Sequence, residues 1–141
     1  MCMKNEPTKT YRGSCVCGRV KFEADVDLAQ GTGKCNCKSC WKRRWWTVRV
    51  AQDGFRMLSG ADDLTSAKPG AERSFGSFCR HCGMSTFAHV EAAEWNDGAY
   101  VSVNVAALDD LDPADLVAAP VRYMDGRADN WWSPPSETRH L

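Results

Sequence analysis

Three tight groups of cysteines constrain this chain more than any other feature. Cys15 and Cys17 flank one residue, Cys35, Cys37 and Cys40 crowd a single short stretch, and Cys79 and Cys82 flank two residues. Cys2 stands apart near the beginning. Eight cysteines in 141 residues suit either the disulfides of an exported protein or metal ligands in a reducing compartment. The opening MCMKNEPTKTYRG lacks the apolar centre of a secretory signal, so the expectation is a cytoplasmic protein whose cysteines hold metal.

Cys79-Arg80-His81-Cys82-Gly83 has the spacing of a zinc knuckle. A tight turn brings two sulfurs to one tetrahedral ion, and the glycine accepts the backbone conformation that follows. Cys15-Val16-Cys17-Gly18 follows the same logic with one intervening residue fewer. Pairing the two groups completes a four-sulfur site. Closing the long loop between them costs roughly 4 kcal/mol of chain entropy, and structural zinc sites contribute about 10–16 kcal/mol. Buried free thiols or two disulfides are the alternative.

Cys35, Cys37 and Cys40 are then left as three sulfurs for a second ion. Three protein ligands and one open position is the general layout of a catalytic zinc site, and the fourth ligand there is water or a substrate thiol held as thiolate. A closed site would need a fourth protein ligand, for which His81, His89, His140 and Cys2 are the candidates. Lys34, Lys38, Lys42, Arg43 and Arg44 surround the trio. They would moderate the net charge of −1 that a zinc ion carries with three thiolates, and they suit a substrate's carboxylates. The alternatives are a solvated basic loop or, with Trp41, Trp45 and Trp46, a surface for stacked bases.

Eighteen basic and eighteen acidic residues cancel, which argues against nucleic acid or an anionic membrane as the main partner. No apolar run approaches the length of a membrane span. Val20, Phe22, Ala24 and Val26 alternate with charged residues, as do Val101, Val103 and Val105 with polar ones, the mark of strands with one buried face. Further strands are expected over 45–51, 55–58, 73–78 and 86–90, with the last alternating run over 99–105. If 45–50 is extended, Trp45 and Trp46 face opposite sides. The one helical signal is a short segment opening at Asp112-Pro113. The expectation is a mainly β protein: a tail over 1–10, one domain over 11–132 and an extended tail over 133–141. No serine–histidine–acid set, phosphate-binding glycine loop or paired-carboxylate motif stands out.

Gly13-Ser14-Cys15-Val16-Cys17-Gly18-Arg19-Val20-Lys21-Phe22, Cys35-Asn36-Cys37-Lys38-Ser39-Cys40 and Phe78-Cys79-Arg80-His81-Cys82-Gly83 resemble the glutathione-dependent formaldehyde-activating enzymes and their centromere protein V relatives. The segment from Tyr123 to Trp132 resembles the last block of the same family. The resemblance implies an Mss4-like fold of several small antiparallel sheets stapled by zinc. It implies a structural zinc on Cys15, Cys17, Cys79 and Cys82, and a second, labile or catalytic zinc on Cys35, Cys37 and Cys40. It also implies carbon–sulfur chemistry between glutathione, or a similar thiol, and formaldehyde or another small aldehyde. Arg44, Arg127 and Trp131 are then the expected substrate-binding residues. Two positions depart from the family pattern: Val16 stands where a histidine is common, and Trp41-Lys42 precede the arginines that often follow the third cysteine directly. A non-catalytic zinc domain that binds a protein partner is the main rival. A thiol-redox enzyme of the methionine sulfoxide reductase type would need a reactive cysteine outside the metal sites, and only Cys2 is left for it.

Overall fold

Alternation between charged and apolar residues over Lys21–Val26 folds as it predicts: Phe22, Ala24 and Val26 are buried, and the residues between them reach solvent. The structure is a computed structural model and describes residues 8–68, 76–94 and 96–141. In chain order these residues form β1 (Lys9–Ser14), β2 (Lys21–Val26), β3 (Thr32–Cys35), α1 (Lys38–Arg43), β4 (Trp46–Ala51), β5 (Phe55–Ser59), β6 (Leu64–Ser66), β7 (Ser77–Cys79), β8 (Phe87–Val90), β9 (Tyr100–Asn104), α2 (Pro113–Ala118) and β10 (Val121–Met124), with several short 3-10 turns between them.

The strands make three small sheets, ordered β1-β2-β5, β10-β3-β4-β9-β8 and β6-β7. Every pairing is antiparallel except β10 with β3, where Val121 to Met124 run alongside Thr32 to Cys35. The first two sheets share one core. Phe22 stacks on Phe55 at 5.1 Å between ring centroids, and both meet Phe87 of the five-stranded sheet, at 5.9 and 4.6 Å. Val48, Val50, Val101 and Val103 complete the contact from β4 and β9. Each such side chain contributes about 1.5–3 kcal/mol by leaving water. Gly13 lies opposite Phe22 in the β1–β2 ladder with the ring over it, so a Cβ there would overlap the ring.

The mainly β class and the multi-sheet arrangement are as expected, and the differences are local. β1 takes in Lys9 and Thr10, two residues of the expected tail; the Thr10 hydroxyl donates to Asp25 Oδ1 at 2.7 Å across the pair. α1 carries no periodic apolar signal. It begins because Cys37 caps it, the sulfur accepting from the Cys40 N–H at 3.4 Å where a hydroxyl or carboxylate is usual. α2 starts as expected, with Asp112 capping the Ala114 N–H and Pro113 in the first turn. Of the strand expected over 73–78, Ser77 and Phe78 belong to β7, while 73–75 lie outside the described residues. No helix among the described residues is long and apolar enough to cross a membrane.

Candidate metal centres

Two cysteine sets converge in space, and their membership follows the sequence spacing. Cys15, Cys17, Cys79 and Cys82 bring their sulfurs within 4.8 Å of one another. Two glycine-closed turns, one a residue longer than the other, do this. Gly18 N–H donates to the Cys15 carbonyl at 3.0 Å and Gly83 N–H to the Cys79 carbonyl at 2.8 Å, and both glycines sit at φ 81°, in the left-handed region. Cys15 Sγ lies 3.6 Å from Cys17 Sγ, which lies 3.7 Å from Cys79 Sγ. Four sulfurs about 2.3 Å from a central ion would be about 3.8 Å apart, so these separations fit zinc.

Backbone N–H groups prepare the sulfurs for negative charge. Val20 donates to Cys15 Sγ and His81 to Cys79 Sγ, each at 3.4 Å. The Cys17 N–H, with further donors, brings the Cys82 thiol down to about 6. The Arg19 N–H likewise lowers Cys17. Burial pushes Cys79 up to about 11, so the thiolate there depends on a cation to hold it.

Cys35, Cys37 and Cys40 form the second set, again within 4.8 Å of one another, and among the described residues no further His, Cys, Asp or Glu joins them. Cys35 ends β3, Cys37 caps α1, and Cys40 follows within the first turn. The Cys37 N–H donates to Cys35 Sγ at 3.4 Å. A hydrogen bond from the Cys40 thiol, helped by the N–H groups of Cys37 and Gly126, brings Cys35 down to about 5. Cys40 is pushed far above the ordinary thiol range by that same bond and by burial. The Cys35 thiolate is thus favoured by the hydrogen bond from Cys40, and a thiophilic cation would take the place of that shared proton. Three sulfurs with N–H donors fit zinc as a donor set.

Asn36, buried between Cys35 and Cys37, holds this loop in place, although its residue type gave no signal in the sequence. Its amide donates to Asp125 Oδ1 at 2.8 Å, its side-chain oxygen accepts from the Arg127 N–H at 2.9 Å, and its backbone oxygen accepts from Arg127 Nε at 3.3 Å. The 124–127 segment is thereby pressed against Cys35. A Cβ on Gly126 would come within 2.6 Å of Cys35 Sγ and 2.5 Å of the Trp131 ring, so only glycine fits.

Cys35 and Cys40 border a cavity of about 320 Å³ whose wall also includes Lys34, Trp41, Arg44 and Trp46; Cys37 does not reach it. Lys34 Nζ stands 4.2 Å from the centre of the Trp46 ring, and the Arg127 guanidinium stands 5.0 Å from that of Trp41. Trp45 also lines this cavity. The expectation that the two tryptophans face opposite sides therefore fails. β4 begins only at Trp46, and the Trp45 N–H still belongs to the end of α1, donating to the Cys40 carbonyl at 2.9 Å. A larger groove of about 730 Å³ runs along the five-stranded sheet past Thr47, Arg49, Ser102 and Arg122. It has no cysteine on its wall, so the smaller cavity is the better candidate for chemistry.

The three histidines are elsewhere engaged. His81 Nε2 pairs with Asp63 Oδ1 at 2.7 Å beside the four-sulfur set. His89 lies edge-on to Phe55 and Phe87, and His140 edge-on to Trp41 at 5.0 Å. Cys2 lies outside the described residues.

A family model described as glutathione-dependent formaldehyde-activating enzyme matches residues 10–123. A crystal structure of a Rhodobacter sphaeroides protein is 30% identical, with a TM-score of 0.60 over 79% of this chain and 99% of that one.

Proposed function

The chain belongs to the glutathione-dependent formaldehyde-activating enzyme family, and on that premise we propose that the cavity beside Cys35, Cys37 and Cys40 joins a glutathione thiol to formaldehyde or another small aldehyde. Within an Mss4-like zinc-stapled domain, Cys15, Cys17, Cys79 and Cys82 are the structural ligands and the trio the reactive set. One observation carries the reading: among the described residues the first set has four sulfurs, whereas the second has three, two of which, on Cys35 and Cys40, border a cavity with two cations on its wall.

A zinc ion on the trio would supply a fourth position that holds a thiol as thiolate near neutral pH. The residues around it have separable tasks. Lys34 and Arg44 give the cavity a positive wall that suits the carboxylates of glutathione and the alkoxide formed on addition. Trp41 and Trp46 restrict water and flatten the space; Arg127 and Trp131 lie outside its wall, Arg127 over the Trp41 ring and Trp131 against Gly126. In the addition, the thiolate sulfur forms a bond to the carbonyl carbon. The carbon–oxygen π pair moves to oxygen, which takes the proton the thiol gave up. The product is a hydroxymethyl thioether, and the reverse step makes the enzyme a carbon–sulfur lyase.

Cys37→Ser tests this reading. The variant should bind one metal ion fewer per chain and keep its folded spectrum and most of its thermal stability. It should also lose the acceleration of hydroxymethylglutathione exchange, read by NMR against the uncatalysed rate. Full acceleration in the variant would rule out the trio as the reactive set.

A further inference from the structure

The positive wall of the cavity is already engaged by the chain itself. Lys34 Nζ donates to the backbone oxygen of Leu141 at 3.0 Å, and Arg44 Nη1 donates to the backbone oxygen of His140 at 2.6 Å. Leu141 lines the same cavity as Cys35 and Cys40, and the His140 ring stands against Trp41. Thr138 closes the segment into a turn, its carbonyl accepting from the Leu141 N–H at 3.0 Å. We propose that Lys34 and Arg44 form a subsite for the peptide and carboxylate oxygens of the thiol substrate, and that residues 138–141 fill this subsite as a built-in competitor until a peptidic thiol displaces them. This rests on the cavity being the glutathione site.

The two halves of the proposal have separate grounds. Two cations from different elements, β3 and the end of α1, converge on the successive backbone oxygens of His140 and Leu141, so their spacing is matched to a short stretch of peptide chain. Arg44 holds its position at φ 56°, in the left-handed region where glycine ordinarily ends a helix. A side chain there is costly to the backbone and is explained by what its guanidinium does. The segment is also built to leave. Thr138, His140 and Leu141 are only half-buried and Arg139 is exposed, which belongs to the easily opened end of a structure. A free thiol with two carboxylates can offer a charged acceptor to each cation, whereas the bound segment has the advantage of being tethered.

S-methylglutathione is the suitable probe, because it keeps both carboxylates and cannot offer a thiol to a metal. Its affinity should be measured by calorimetry for the full chain, for a chain ended at Glu137, and for the His140→Gly/Leu141→Gly variant, which keeps the backbone but loses the side-chain grip. A competitor closed about nine-tenths of the time weakens apparent affinity about tenfold, so the shortened chain should bind about tenfold tighter, with the double variant between the two. Equal affinity in all three would overturn the competitor while leaving the cavity as the glutathione site. Binding of reduced glutathione but not of the S-methyl form would overturn the carboxylate subsite, since recognition would then run through sulfur alone. If neither compound binds any of the chains, the reading of the cavity falls together with the proposal.

Discussion

Gly126 is the residue on which the second cysteine set most depends without supplying a ligand. Its missing side chain lets the 124–127 segment lie against Cys35 while Trp131 covers the other side. Gly126→Ala would drive a methyl group into the sulfur and the ring, and Asn36, bonded to both Asp125 and Arg127, leaves the segment little room to retreat. The expected result is loss of the second metal ion, read as one ion per chain instead of two, with little change in the unfolding midpoint because the four-sulfur set lies elsewhere. Retention of both ions would show that the segment moves freely. Such a role is hardly legible in a sequence, where Asp125-Gly126 reads as an ordinary turn and Asn36 as a spacer between ligands. The cysteines themselves were legible, because two sulfurs reach one ion only at a few spacings and here the knuckle glycines follow them.

At the scale of elements, Asp25 links three strands of the first sheet. It accepts from Thr10 of β1 and from the Arg56 guanidinium of β5, at 2.7 and 2.9 Å. The Arg56 hydrogen bonds, then that of Thr10, hold its carboxyl below the ordinary carboxylate range. A carboxyl lowered on folding stabilises the protein above its unfolded value, about 4, and this contribution is lost as pH falls through the lower folded value. Asp25→Asn should therefore lower stability at pH 7 by less than about 1 kcal/mol, the pair being partly exposed. The gap to the parent should narrow below about pH 4; urea unfolding at a series of pH values checks this, and a gap independent of pH would contradict it. The strands that alternation revealed, β2, β4 and β9, each bury one face and wet the other. β3 and β10 escaped because they are short, β3 contains Gly33 and buries only its two ends, and their parallel pairing joins distant parts of the chain. α1 escaped because a thiol caps it and no apolar face drives it.

For the whole molecule, the proposed function divides the work of the two cysteine sets between holding and reacting. The four-sulfur set brings the turn after β1 against the turn after β7, and a metal ion there would fasten the small β6–β7 sheet to the main body. The trio sits where β3, α1 and the segment after β10 meet, with Cys35 and Cys40 open to a cavity. The grouping of the cysteines into four and three was visible in their order, whereas the return of residues 138–141 onto Lys34 and Arg44 was not, since no local pattern marks a segment that folds back over a site. The central claim is that one set is closed and the other is accessible to a thiol. Native mass spectrometry of the purified chain, before and after incubation with reduced glutathione and desalting, tests it directly. Two zinc ions per chain should be found at first, and glutathione should act on one alone, either binding at it or removing it. A single ion from the start, or two that neither release nor take up the thiol, would contradict the account.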